Sequence, residues 1–194
     1  GISVSLDSDG SHVAIGGENN DAAGNNAGHA RVYEFSNNSW SQVGSDIDGE
    51  AAGDLFGLSV SLDSDGSHVA IGGEENDAAG NNAGHARVYE FSNNSWSQLG
   101  SDIDGEAAGD LFGGSVDLDF DGSHVAISGI ENDGGGSNAG YVRVLEYNGT
   151  RWREVGYDIN GGGSDDYFGA SVSIDSAGNR VAGGGPGENV TGYA

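Results

Sequence analysis

The sequence contains no cysteine. That removes disulfide staples, thiolate metal sites and cysteine nucleophiles in one step. It also lacks lysine. The 6 basic residues are all arginines (Arg31, Arg87, Arg143, Arg151, Arg153 and Arg180) and stand against 31 acidic ones, for a formal net charge of −25. A surface of that sign repels phosphate backbones and anionic lipid, so the expected partners include no nucleic acid and no membrane. The same charge either attracts divalent cations and basic partner surfaces or keeps a glycine-rich β-protein soluble. No apolar run reaches the roughly 18 residues of a membrane span, and no segment carries a helical period. Proline occurs once and glycine 38 times. Without a collagen period, glycine at that density marks many tight turns.

What is present is a repeat. Ser3-Val4-Ser5-Leu6-Asp7 returns at Ser59 to Asp63, Ser115 to Asp119 and Ser171 to Asp175, each time 56 residues on. From Ser3 to Gly57 the first copy differs from the second at only two places, Asn19 against Glu75 and Val43 against Leu99. The chain reads as one domain over 1–194, divided into repeats 1–56, 57–112, 113–168 and an incomplete 169–194. Within a repeat, short β-branched and aromatic runs predict four strands, A at Ser3 to Leu6, B at His12 to Gly16, C at Ala30 to Phe35 and D at Ser39 to Val43. Asp9-Gly10 predicts a tight A–B hairpin, and Asn37-Asn38 and Asn148-Gly149 predict tight C–D hairpins. The B–C and D–A connections are longer. The fold expected is all-β, with β-propeller blades of four antiparallel strands, about three and a half of them, belonging to a larger propeller. The fourth repeat supplies strands A and B and ends at Gly192-Tyr193-Ala194, which aligns with the entry to strand C. Other blades or copies of the chain are therefore expected to complete the assembly.

The order Phe56-Gly57, Ser59-Val60-Ser61-Leu62, Asp65-Gly66, Val69-Ala70-Ile71-Gly72-Gly73 resembles the FG-GAP repeat of the integrin-α-like β-propellers. The Phe-Gly pair recurs at Phe112-Gly113 and Phe168-Gly169. The resemblance implies a seven-bladed extracellular propeller used in adhesion or ligand binding, often with calcium in the A–B loop. The sequence departs from that family at this loop. Of its alternating acidic positions, the first is Leu6 and the last falls at His12 or Val13. Only Asp7 and Asp9 carry over, with Asp63, Asp65, Asp119 and Asp121 in the later repeats. Two carboxylates rarely hold calcium alone, so a plain hairpin turn is the preferred reading and these six are second-rank metal candidates.

Strand alternation places the A–B and C–D turns on one face and the B–C and D–A loops on the other. The long-loop face is acidic. Its metal candidates, with Ca2+ as the ion expected, are Asp46, Asp48, Glu50 and Asp54 in the first repeat and Asp102, Asp104, Glu106 and Asp110 in the second, carboxylates spaced by a glycine turn. The alternative is a solvated acidic loop that caps the blade junction. Trp40, Trp96 and Trp152 are expected in packing between blades. Arg31, Arg87 and Arg143 are expected in ion pairs. The histidines at 12, 68 and 124 give way to Arg180, a poor metal ligand. The sequons at Asn37, Asn93, Asn148 and Asn189 predict N-linked glycan in a secreted eukaryotic protein. No catalytic set stands out, so an enzyme is not expected. The function expected is an extracellular or cell-surface adhesion or structural module with a protein or glycan ligand on the long-loop face. A carbohydrate-binding propeller is the alternative, and a propeller hydrolase or lyase is third.

Overall fold

A computed structural model describes residues 1–187. The sequon at Asn189 and the Gly192-Tyr193-Ala194 segment lie outside the described residues. Among the described residues every regular element is a strand. In the first repeat β1 (Ser3–Leu6), β2 (His12–Gly17), β3 (His29–Ser36) and β4 (Ser39–Asp48) form an antiparallel sheet in chain order. The second repeat gives β5 (Ser59–Leu62), β6 (His68–Gly73), β7 (His85–Ser92), β8 (Ser95–Gln98) and β9 (Ile103–Asp104), with β9 pairing back onto β7. The third gives β10 (Phe112–Leu118), β11 (His124–Gly129), β12 (Tyr141–Tyr147), β13 (Trp152–Glu154) and β14 (Ile159–Asn160), arranged alike. The fourth gives the hairpin β15 (Ser171–Ile174) and β16 (Val181–Gly184).

One boundary corrects the sequence reading. Strand D was expected to stop at Val43, which placed Asp46 and Asp48 in a loop. Instead β4 runs on to Asp48, with Ala30 opposite Ile47 and His29 opposite Asp48 after a register shift. The shift falls where Gly44 takes φ 72°, a left-handed conformation glycine adopts without strain. The strand is bent at that bulge, not ended. The C–D hairpins follow the expectation: Asn37 and Asn38 both have positive φ, 50° and 63°, as a two-residue turn that matches strand twist requires.

The core lies between repeats, not within them. Ala14, Ala30, Val32, Ile47 and Phe56 of the first repeat meet Val60, Leu62, Val69, Ile71 and Tyr89 of the second in one buried cluster. A second cluster joins Ala70, Val88, Ile103 and Phe112 to Val116, Leu118, Val125, Ile127, Tyr141 and Leu145. This burial on both faces is why the B strands read Val-Ala-Ile without polar alternation. The face of β1 is the exception: Val4 and Leu6 are 71% and 60% exposed, against 8% and 6% for their counterparts Val60 and Leu62.

The first strands of successive repeats lie side by side, and serine side chains stitch them together. The amide of Leu62 donates to Ser5 Oγ at 3.0 Å, and that of Leu118 to Ser61 Oγ at 3.0 Å. Where the third repeat has Asp117 in place of that serine, its carboxylate accepts from the Ile174 amide at 2.8 Å. Edge amides that would otherwise be unpaired are thereby satisfied. Further out, Trp96 Nε1 donates to the Val43 carbonyl at 2.9 Å and Trp152 Nε1 to that of Leu99 at 2.8 Å. These two indoles pack between repeats, as expected, but Trp40 does not: it is exposed and lies against Phe35 of its own repeat, ring centroids 5.2 Å apart. The Phe-Gly pair has a steric reason. Phe56 is fully buried, and Gly57, at φ 92°, passes so close to the first sheet that a Cβ there would lie 2.2 Å from the His29 carbonyl oxygen.

Candidate functional site

The hairpin topology puts the short A–B and C–D turns at one end of every sheet and the long loops at the other, as the strand order demanded. At the short-turn end each A–B aspartate is held by its own turn. Asp7 is buried. Its Oδ2 accepts from Ser11 Oγ at 2.9 Å and lies 2.7 Å from His12 Nδ1. Burial opposes ionisation of Asp7, but the hydrogen bonds from His12 and Ser11 outweigh it and hold the carboxyl below its usual range. Asp63 with Ser67 and His68, and Asp119 with Ser123 and His124, repeat the arrangement. The Asp63 hydrogen bond raises the His68 imidazole above its usual value. In the fourth repeat Arg180 takes the histidine's place, 3.6 Å from Asp175.

This Ser-His-Asp association was not singled out from sequence, because acids and serines are everywhere in the chain. It lacks the geometry of a catalytic triad. Serine and aspartate both approach the same ring nitrogen, Nδ1, whereas a triad holds the acid on one nitrogen and the nucleophile on the other. The second aspartate of each turn, Asp9, Asp65 or Asp121, accepts the amide two residues on at 2.8–3.1 Å. That local bond is the one that shapes an Asx turn.

At the long-loop end six of the eight candidate carboxylates divide into three groups, while Asp48 and Asp104 are exposed at strand ends opposite His29 and His85. Asp54 and Asp110 are buried. They turn inward to accept loop amides, Ala51 N at 2.9 Å and Ala107 N at 3.0 Å respectively. Asp46 and Asp102 face the arginines of strand C. Arg31 donates to both oxygens of Asp46, at 2.9 and 2.7 Å, which holds that carboxyl down at about 2. Arg87 Nε lies 3.1 Å from Asp102 Oδ1, and Arg143 repeats the pairing with Asp158 at 3.0 Å. Glu50 and Glu106 reach across to the next repeat: Glu50 pairs with Arg87 and Glu106 with Arg143. Each strand-C arginine at an internal junction thus binds an acid of its own repeat and one of the preceding repeat. The same guanidinium lies over a buried ring, Arg87 5.3 Å from the Phe56 centroid and Arg143 5.4 Å from that of Phe112.

The eight long-loop candidates therefore do not converge on one point. Among the described residues, two sets bring three donors within ion-holding distance: His29 with Asp46 and Asp48, and Glu50 with His85 and Asp102. Neither includes Asp54 or Asp110, and the histidines in both were missed from sequence. The signal available was their register: His29 and His85 recur at 56 residues, and Tyr141 occupies the same position in the third repeat. Between the second and third repeats the loops leave a groove lined by Glu106, Asp110, Glu131, Asn132, Asp133 and Asn138 among others. Beside it, Glu74 places Oε2 where a side chain at Gly114 would come within 3.0 Å. Burial pushes its carboxyl up to about 7, and the charges of Glu75, Glu18 and Glu131 add to that. The sequon residues Asn37, Asn93 and Asn148 are exposed at hairpin tips.

No family model matches the chain, and no curated protein matches it. Solved structures do resemble it. One is a Bacteroides uniformis protein named, by inference, a 6-phosphogluconolactonase, with TM-score 0.53 and 8% identity over 81% of this chain. The chain spans 40% of that protein's length. At such identity the likeness concerns the fold alone.

Proposed function

We propose that the chain is part of a β-propeller serving as a non-enzymatic binding or structural module, extracellular or at a cell surface, whose ligand meets the acidic long-loop face. The face-to-face sheets with adjacent first strands support the propeller reading. The observation that carries the functional reading is the groove between the second and third repeats. It is polar, lined by Glu106, Glu131, Asp133 and Asn138, and supported by sheets tied together through their cores. Loops on a rigid scaffold are where recognition concentrates. The long-loop carboxylates already matched by arginines belong to the junctions, which leaves Glu131 and the second oxygen of Asp133 for a ligand, the first accepting the Asn138 amide at 2.9 Å.

The test pairs a glycan array with a panel of basic proteins and peptides, applied to the wild type and to Glu131→Gln/Asp133→Asn. Retention of a basic polypeptide that is lost in the variant and at high salt supports the adhesion reading. Selective glycan binding lost in the same variant moves the assignment to a carbohydrate-binding module. Turnover in a broad hydrolase and lactonase screen, abolished by the same substitutions, overturns it.

A further inference from the structure

We infer that the junction between the first and second repeats contains a binding site for a borderline divalent transition metal of the Zn2+ class, with Glu50, His85 and Asp102 as its ligands. The site lies outside the binding groove and does not depend on the function proposed above.

Three observations converge on it. His85 is fully buried, yet neither ring nitrogen has a hydrogen-bond partner. A neutral imidazole with a free lone pair is the form that ligates metal. Next, His85 Nδ1 faces Asp102 Oδ2 at 3.7 Å, a separation that suits two ligands each about 2.0–2.2 Å from one ion. Glu50, from the preceding repeat, brings a third donor atom within 4.8 Å of both. It is half exposed, which leaves the ion a way in.

Arg87 is the obvious competitor, because it contacts both acids. It approaches Asp102 through Oδ1 and Glu50 through Oε2, while Asp102 Oδ2 is the oxygen turned to His85. Arg87 therefore acts as an orienting partner behind the carboxylate ligands, a common arrangement around protein-bound metals. Its single charge does not neutralise the acids beside it. The donor set of one nitrogen and two carboxylate oxygens favours Zn2+, Co2+ or Ni2+ over calcium, which takes oxygen ligands.

The repeat contains its own controls. At the first repeat His29 meets Asp46 and Asp48 as a comparable set, but both oxygens of Asp46 are already taken by Arg31. At the third repeat the position is Tyr141, whose buried hydroxyl has no partner, so the imidazole donor is absent. His85→Tyr thus installs a residue that the same fold already carries at this position.

The experiment is titration of the intact chain with Zn2+ by calorimetry and with Co2+ by visible absorption, repeated on His85→Tyr, His29→Tyr and Glu50→Gln. The expected result is one tight equivalent, with ligand-field bands of low-coordinate Co2+. His85→Tyr should abolish it, Glu50→Gln should weaken it more than about ten-fold, and His29→Tyr should leave it in place. Glu50 lies at the surface, so its variant tests the site even if the histidine variant folds poorly. Weak, multi-site uptake that is equal in wild type, His85→Tyr and Glu50→Gln would show only diffuse attraction to an acidic surface and would overturn the assignment, as would loss of the tight site in His29→Tyr alone.

Discussion

Replacing Glu74 by glutamine should stabilise the protein, with a gain that is absent at pH 4, develops as pH rises from about 4.5 to about 7, and is full above that. The carboxyl sits at about 7 in the folded protein against 4.5 in an open chain. The folded state thus holds a proton that the unfolded state has released between those two values. Stability is complete below about 4.5, falls as pH rises through the window, and levels off above 7. The displacement corresponds to an upper limit of about 3 kcal/mol for ionising the group in place. Glu74 keeps some contact with water, so about 2 kcal/mol is the expected gain for the neutral isostere. For a chain of 194 residues that raises the melting temperature by roughly 4–8 °C at pH 8, with little change at pH 4. Thermal denaturation of both proteins across pH 4 to 8 measures it. Equal melting temperatures at pH 8, or a shift of the same size at both ends, would refute the claim that burial and the neighbouring glutamates strain this carboxylate.

Two further outcomes follow from the repeat. Leu62→Ala should destabilise by about 2–5 kcal/mol, as for a filled core position, whereas Leu6→Ala should stay within about 0.5 kcal/mol because that side chain is exposed; chemical denaturation distinguishes the two. Trp96→Phe should cost at least the roughly 1 kcal/mol of its lost hydrogen bond to the Val43 carbonyl, and Trp40→Phe, whose indole has no such bond among the described residues, should be nearly silent; paired melting curves test this.

The site was only half legible in the sequence. That acids would crowd the long-loop end followed from strand alternation, and that Arg31, Arg87 and Arg143 would pair with them followed from the scarcity of positive charge. Which acid meets which arginine did not follow. Glu50 belongs to one repeat by sequence but meets Arg87 and His85 of the next, because sheets stacked face to face bring a D–A loop over its neighbour's C strand. The bulge at Gly44 carries Asp46 onto the sheet beside Arg31, whereas a reading by β-propensity stops the strand at Val43. The recurrence of His29 and His85 at 56 residues marked a shared position but not a donor role, since a histidine at a strand start says nothing of its burial.

The sequence by itself determined what is local. Turn residues at Asp9-Gly10 and Asn37-Asn38 select backbone conformations within a few bonds, and the β-branched runs between them need only their immediate neighbours to pair. The 56-residue period then carried the same strand pattern through the first three repeats and the A–B hairpin into the fourth. Only the tertiary structure decided burial and charge state. Ser3-Val4-Ser5-Leu6 and Ser59-Val60-Ser61-Leu62 are the same peptide in the same hairpin, yet Leu6 is 60% exposed and Leu62 is 6% exposed. The difference is whether another repeat lies against the face. Burial, the displaced titration of Glu74 and the donors around His85 are all properties of the space between two sheets. No single repeat contains that space.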